Sequence, residues 1–191
     1  MLEPSSEQQE IINHIKQGRN VIVDACAGSG KSTTILSCAQ QMQDKRFLQI
    51  TYNSMLRMEI KEKVKQLRLK NITVHTYHSL AVAKYTKDAC TDTGIRRILH
   101  ENIVPISQIL PQNVIVLDET QDMTFLYYQF VVKFCKDMGT HFQLLVLGDY
   151  MQGLYEFKGA DIRFLTMAHR IWSPFSQLTT TEFQKCSLKM S

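Results

Sequence analysis

Val21 to Thr33, reading VIVDACAGSGKST, limits what this chain can fold into more than any other stretch. Three β-branched residues, Val21-Ile22-Val23, lead to Gly28, Gly30, Lys31 and Ser32. That order predicts a buried strand, a glycine-rich turn and then a helix. Glycines let backbone N–H groups point inward and approach an anion closely. A helix beginning near Lys31 adds the positive end of its dipole. The turn therefore reads as a phosphate cradle, with Lys31 reaching the β- and γ-phosphates and the Ser32 hydroxyl on Mg²⁺. In the general GxxxxGK[ST] pattern the first glycine place is taken here by Ala25, which is larger by one methyl.

The rest of the chain alternates strand and helix. Pro4–Gln17 reads as a helix capped by Ser5 or Ser6, with Ile11, Ile12 and Ile15 on its apolar face. Helices are also predicted over Ser32–Gln43, Asn53–Lys70, His78–Ala83, Ile95–Glu101, Met123–Lys136 and Ala160–Arg170. Strands fall at Phe47–Tyr52, Ile72–Tyr77, Val114–Leu117, Leu144–Leu147 and, as a last one, Gln177–Thr181. In the Asn53–Lys70 helix, Met55, Leu56, Ile60, Val64 and Leu67 form the inner stripe. The Met123–Lys136 helix is apolar at Phe125, Leu126, Phe130, Val131 and Phe134. This alternation gives an α/β fold: a mostly parallel central sheet with helices on both faces. At 191 residues without a Gly/Ser linker or repeat, one domain spans 1–191.

Two strand ends carry acids. Val114–Leu117 delivers Asp118 and Glu119, and Leu144–Leu147 delivers Gly148-Asp149 with Gln152 close behind. Parallel sheets place ligand chemistry at that edge. Asp118 suits Mg²⁺ held through water, Glu119 a general base that activates a water, and Gln152 an amide that senses the γ-phosphate.

Other features admit two readings. Arg57, Lys61, Lys63, Lys65, Arg68 and Lys70 make either a solvated helix face or a contact for a phosphate backbone. Gln8 is either solvated or an adenine reader, since an amide both donates and accepts. His75 and His78 lack a neighbouring cysteine or carboxylate and read as a polar strand end that meets a ligand, not as a zinc pair. Tyr155 and Phe157 read as core or as base-stacking aromatics, and Trp172 as structural. The five cysteines are widely spaced and show no CxxC, which fits a reducing intracellular compartment, cytoplasm or nucleus. The acidic, polar start MLEPSSEQQE is no signal peptide, and no apolar run approaches a membrane span. A net charge of +4 permits a nucleic-acid partner without requiring one.

Taken together, the motifs resemble superfamily 1 DNA helicases of the UvrD/PcrA/Rep type, closest to the F-box helicase branch and its viral relatives. Ser6-Glu7-Gln8-Gln9 is similar to the adenine-reading Q motif, and Ala25 to Ser32 to the AxAGSGKT loop. Thr51-Tyr52-Asn53 and Thr76-Tyr77-His78-Ser79-Leu80 resemble two DNA-contacting segments. Asp118-Glu119-Thr120-Gln121-Asp122 fits a DExQD box, and Gly148 to Ala160 resembles GDxxQxIYxFRGA.

The resemblance implies a RecA-like P-loop NTPase domain that uses ATP and Mg²⁺. It implies nucleotide contacts at Gln8, Ala27, Gly28, Ser29, Gly30, Lys31, Ser32 and Thr33, with Ser32 and Asp118 at the metal. Lys31, Glu119 and Gln152 would be catalytic. Single-stranded DNA would meet Tyr52, Asn53, Thr76, His78 and Phe157. It further implies 3′-to-5′ unwinding, in DNA repair or recombination. Leu178 to Gln184 resembles the next motif, whose last position usually holds arginine; Gln184 stands there, and an amide cannot make arginine's charged, bidentate clamp on phosphate. The family's second RecA-like domain, with its arginine finger, lies outside these 191 residues. Three functions follow as expectations: a helicase motor domain that needs a second domain, a non-motor nucleotide- or DNA-binding module, or an unrelated P-loop enzyme. The absence of an NKxD guanine reader speaks against the last.

Overall fold

The computed structural model describes residues 3–152, 159–175 and 177–189. Its helices are α1 (Ser6–Lys16), α2 (Lys31–Gln41), α3 (Ser54–Gln66), α4 (Tyr77–Lys84), α5 (Asp92–His100), α6 (Phe125–Met138), α7 (Arg163–Thr166) and α8 (Ala168–Trp172). Its strands are β1 (Asn20–Ala25), β2 (Phe47–Thr51), β3 (Ile72–Thr76), β4 (Val114–Leu117), β5 (Gln143–Gly148) and β6 (Phe183–Leu188). They form one six-stranded sheet in the order β3-β2-β4-β5-β1-β6. Every pairing is parallel.

The alternation of side chains along each strand feeds two cores. Ile22, Ile50, Ile115, Leu117, Leu144 and Val146 face α4, α5, α6 and α8. Val21, Val23, Val114, Val116, Leu145 and Leu147 face α1, α2 and α3. With both faces covered, the central strands read as unbroken apolar runs. Among the described residues no helix is long and apolar enough to cross a membrane.

Sheet order places the chemistry. β5 separates β1 from β4. The glycine turn after β1 and the acid pair after β4 thus open on one edge, two strand spacings or ~10 Å apart. The opposite edge is fastened by amides. Asn20 donates to the carbonyls of Thr180 (2.6 Å) and Glu182 (3.2 Å) and accepts from the Leu144 N–H. Asn71 donates to the carbonyls of Ala39, Met42 and Lys45. Gln143 donates to those of Ile15 and Arg19 and accepts from the Lys45 ammonium at 2.9 Å.

Several expectations need correction. The last strand is Phe183–Leu188, not Gln177–Thr181; Leu178 makes only an isolated bridge to Phe142. Asn20 holds the carbonyls of Thr180 and Glu182, and the strand begins only after Glu182, six residues beyond the predicted start. The predicted helix at Ala160–Arg170 is two short helices that meet at Met167. The stripe on α3 is narrower than its periodicity suggests, with Ile60 fully buried but Met55 78 % exposed. Phe125, in the first turn of α6, is 62 % exposed rather than core. Trp172 is buried as expected.

Candidate functional site

The cradle forms as its sequence requires. Gly28 and Gly30 sit at φ 76° and 87°, in the left-handed region that an L side chain resists. A methyl on Gly30 would also lie 2.7 Å from Nε2 of Gln8. Gln8 thus lies against the turn, while its Oε1 accepts from the Ser5 N–H in a capping box. Gly30 N-caps α2 directly, so Lys31 is the first helical residue and the helix end faces the cradle. Among the described residues the buried Ser29 hydroxyl has no partner, and it is a polar atom placed to meet a ligand oxygen. The cavity holds about 320 Å³ and is lined by Ala27, Gly28, Gly30, Lys31, Ser32, Thr33, Lys63, Glu119 and Gln152.

The acid pair meets this cavity. β4 ends at Leu117, and Asp118 is 1 % exposed. Its carboxylate accepts from Gln49 Nε2 at 2.8 Å and from the Glu119 N–H at 3.0 Å. Burial, and after it the charge of Glu119, pushes the Asp118 carboxyl up to about 6; Lys31 and the two hydrogen bonds oppose the shift. Glu119 turns out of the strand at φ 52°, ψ 45°, a left-handed backbone that costs a non-glycine residue about 1 kcal/mol. That turn swings its carboxylate away from the β4 axis, and its Oε2 lies 3.0 Å from the Lys31 ammonium. Gln121 donates to the same oxygen at 2.7 Å.

A third strand end links the two. Asp149, after β5, accepts from the Ala27 N–H at 3.0 Å, and its own N–H donates to Gln121 Oε1 at 3.1 Å. Cradle, acid pair and the turn carrying Gln152 are thus one hydrogen-bonded unit. Burial also raises the Asp24 carboxyl at the end of β1, with the Tyr150 backbone opposing and Asp149 adding to the shift. Ser32 and Asp118 offer hard oxygens, the donor type that Mg²⁺ takes.

An open groove of about 880 Å³ adjoins the cavity and shares Glu119 and Gln152 with it. Tyr52 and Asn53 line this groove. The side chain of Asn53 caps α3, accepting from the Met55 N–H at 2.8 Å. Thr76 caps α4 and is only 6 % exposed, so little of it is open to a ligand. His78 Nε2 lies 3.0 Å from Asp92 Oδ1. His75 stands apart from it, held by Ser79 and kept neutral, its pKa lowered to about 4 by burial and then by Lys61, Arg57 and Lys84. Phe157 and Tyr155 lie outside the described residues. Gln184 pairs with Val21 near the start of β6, whereas the cradle follows Ala25. It is therefore roughly four residues of strand, ~13 Å, from the phosphate end.

Two residues escaped the sequence reading. Lys63, grouped there with an outer basic face, lines the phosphate cavity while pairing with Glu59 at 2.7 Å. The signal was present: a lysine interrupts the stripe Leu56, Ile60, Leu67. Tyr127, within an apolar helix, stacks on Tyr77 at 4.4 Å and meets Tyr52 and His78 edge-on. Its hydroxyl donates to Asp92 at 2.8 Å. No local pattern marks such a bridge between elements.

A parallel sheet whose β1 feeds a lysine-tipped glycine turn, with paired acids on a neighbouring strand, defines a P-loop NTPase of RecA-like type. The family described as "AAA domain" matches residues 8–158, and the chain belongs to it. It is similar to F-box DNA helicase 1 of Gallus gallus, 37 % identical over 82 residues that cover 42 % of this chain and 8 % of that protein. The Pif1 helicase of Candida albicans shares the fold with a TM-score of 0.63 at 14 % identity, over 100 % of this chain and 41 % of that one. The Hef helicase domain of Pyrococcus furiosus does so with 0.56 at 12 %, over 95 % and 38 %. The chain therefore spans under half the length of these relatives, and the two solved structures show that it shares their fold.

Proposed function

We propose that this chain is the ATP-binding motor domain of a DNA helicase, a single RecA-like unit that completes its site with a second such domain. That second domain would come from a longer parent chain or from a separate polypeptide. The Lys31–Glu119 contact at 3.0 Å carries the reading, because it joins the phosphate cradle to a carboxylate suited to activating water. Lys31 would exchange that carboxylate for the β- and γ-phosphates, while Gln121 keeps Glu119 oriented. Ser32 and Asp118 would hold Mg²⁺, which neutralises charge on the phosphates when bound. Gln152 would orient the γ-phosphate or the water, and Gln8, against the cradle, would read adenine. Single-stranded DNA would lie along the groove at Tyr52 and Asn53 and continue to Thr76, His78 and Phe157. A 3′-to-5′ direction follows only from the UvrD-type motif resemblance.

An arginine finger contributes about 10³- to 10⁵-fold in rate where it has been measured. The chain alone therefore binds Mg-ATP and turns it over weakly or not at all. Steady-state ATPase with and without single-stranded DNA, wild type against Glu119→Gln, tests this. DNA-stimulated turnover lost in the variant supports the motor. Robust strand separation by residues 1–191 alone would refute the need for a second domain. A non-motor module that occupies nucleotide or DNA beside a partner is the second reading; the motif resemblance alone raises it, since Gln184 stands at the usual arginine position of that motif but lies ~13 Å from the phosphate end. Tight ATP binding with flat turnover, even after the second domain is supplied, would establish it.

A further inference from the structure

Away from the nucleotide edge, Glu10 and His14 stand one turn apart on α1, and Cys186 lies on β6 beneath them. The donor atoms of the three lie within 4.8 Å of one another, the only such group of three among the described residues. Glu10 Oε1 is 3.7 Å from His14 Nε2. Residues four apart share a helix face, so α1 offers both side chains to the strand. Cys186 packs at the margin of the core between α1 and the sheet. A carboxylate, an imidazole and a thiol form a mixed O/N/S donor set, which suits zinc and its neighbours and not magnesium or calcium.

We propose that Glu10, His14 and Cys186 form a three-ligand site for a zinc-type divalent cation, with water in the fourth position. Binding releases the Cys186 proton, because the thiolate is the ligand. Arg19 Nη1 lies 3.3 Å from His14 Nδ1. While the guanidinium donates there, the neutral ring carries its proton on Nε2, the nitrogen that faces Glu10. A cation held at Nε2 would require the ring proton on Nδ1, where the Arg19 guanidinium could no longer donate. Arg19 is thus a competitor of the metal, which gives the site a signature that a structural cluster lacks.

The site would tie α1 to β6. α1 carries Gln8, and the Leu188 carbonyl at the end of β6 accepts from the Cys26 N–H at 3.3 Å. The Lys189 N–H donates to Glu7 at 3.0 Å. The cation would reinforce a seam already made by these bonds, whatever the domain does with nucleotide.

Cobalt(II) titration of the whole 191-residue chain is the test. A thiolate-to-cobalt charge-transfer band should appear and saturate at one equivalent, and zinc should bleach it. Cys186→Ala should abolish the band, and His14→Ala and Glu10→Gln should each weaken binding about tenfold or more. Glu10 is exposed, so Glu10→Gln leaves the fold intact and keeps the test valid if another variant unfolds. Arg19→Ala should tighten binding. Zinc should raise the melting temperature of the wild type and leave that of Cys186→Ala unchanged. No band at one equivalent overturns the proposal. So does a band that survives Cys186→Ala, which would belong to the exposed Cys26 or Cys90. A band indifferent to both His14→Ala and Glu10→Gln overturns it as well.

Discussion

Asp118→Asn should make the nucleotide-free protein more stable at neutral pH while removing its metal-dependent nucleotide binding. The carboxyl is buried at the end of β4 and shifted from 3.8 to about 6. A carboxyl whose folded-state pKa lies above its unfolded one favours folding while it is protonated. That contribution is complete below 3.8 and is lost as pH rises through about 6. Two units at ~1.4 kcal/mol each give a deficit of roughly 3 kcal/mol at pH 7.5 in the wild type, which an amide does not carry. The amide also finds its partners. Its oxygen keeps the Glu119 N–H, and its NH₂ meets Gln49, whose Oε1 has no hydrogen bond among the described residues and can be turned toward it. Urea unfolding of both proteins at about pH 4 and 7.5 measures the effect. The variant should lead by ~2–3 kcal/mol at the higher pH and converge toward the wild type at the lower. Mg-ATP should stabilise only the wild type. An asparagine variant no more stable at pH 7.5, or a gap that stays constant with pH, would refute the reasoning.

Lys31→Ala removes charged hydrogen bonds to phosphate and should cost about 10- to 100-fold in Mg-ATP affinity by calorimetry. Unchanged affinity would remove the cradle from the proposed function. Gly148→Ala would place a methyl 2.6 Å from Gln121 Oε1 and 2.8 Å from Leu165 Cδ2. It should cost ~1–3 kcal/mol in chemical denaturation and slow turnover by shifting Gln121 off Glu119. Phe130→Ala, in the core beneath α6, should destabilise by ~3–5 kcal/mol without changing the nucleotide affinity of the folded fraction. Tyr52→Ala should weaken single-stranded DNA binding by ~1–3 kcal/mol in fluorescence anisotropy.

What could be read before the structure was local. The strand–turn–helix of the cradle, the acids after Val114–Leu117 and the apolar face of α1 each lie within a dozen residues, and each appears where its pattern put it. The strand order was not legible, and it decides that β5 separates cradle from acid pair and sets Asp149 against Ala27. Lys63 lies at the cavity through the packing of α3, and charge alone left it open between solvent and a phosphate backbone. Phe125 was misread because helical periodicity does not say where the neighbouring layer stops. The strand at Phe183 was misplaced because the cue that delays it, the Asn20 amide, sits far upstream in the chain. Glu10, His14 and Cys186 stayed invisible for the same reason.

The amides along the far edge of the sheet divide the molecule mechanically. Asn20, Asn71 and Gln143 rivet crossover segments to strand starts through buried or half-buried bonds, and none of them approaches the nucleotide cavity. Loops at that rim cannot slide without leaving donors unpaired in the interior. The loops at the other rim hold one another mainly through Lys31, Glu119, Gln121 and Asp149, groups that can exchange partners with an anionic guest. The sheet is thus a plate clamped along one margin, and its freedom lies at the rim that carries the glycine turn and the acid pair.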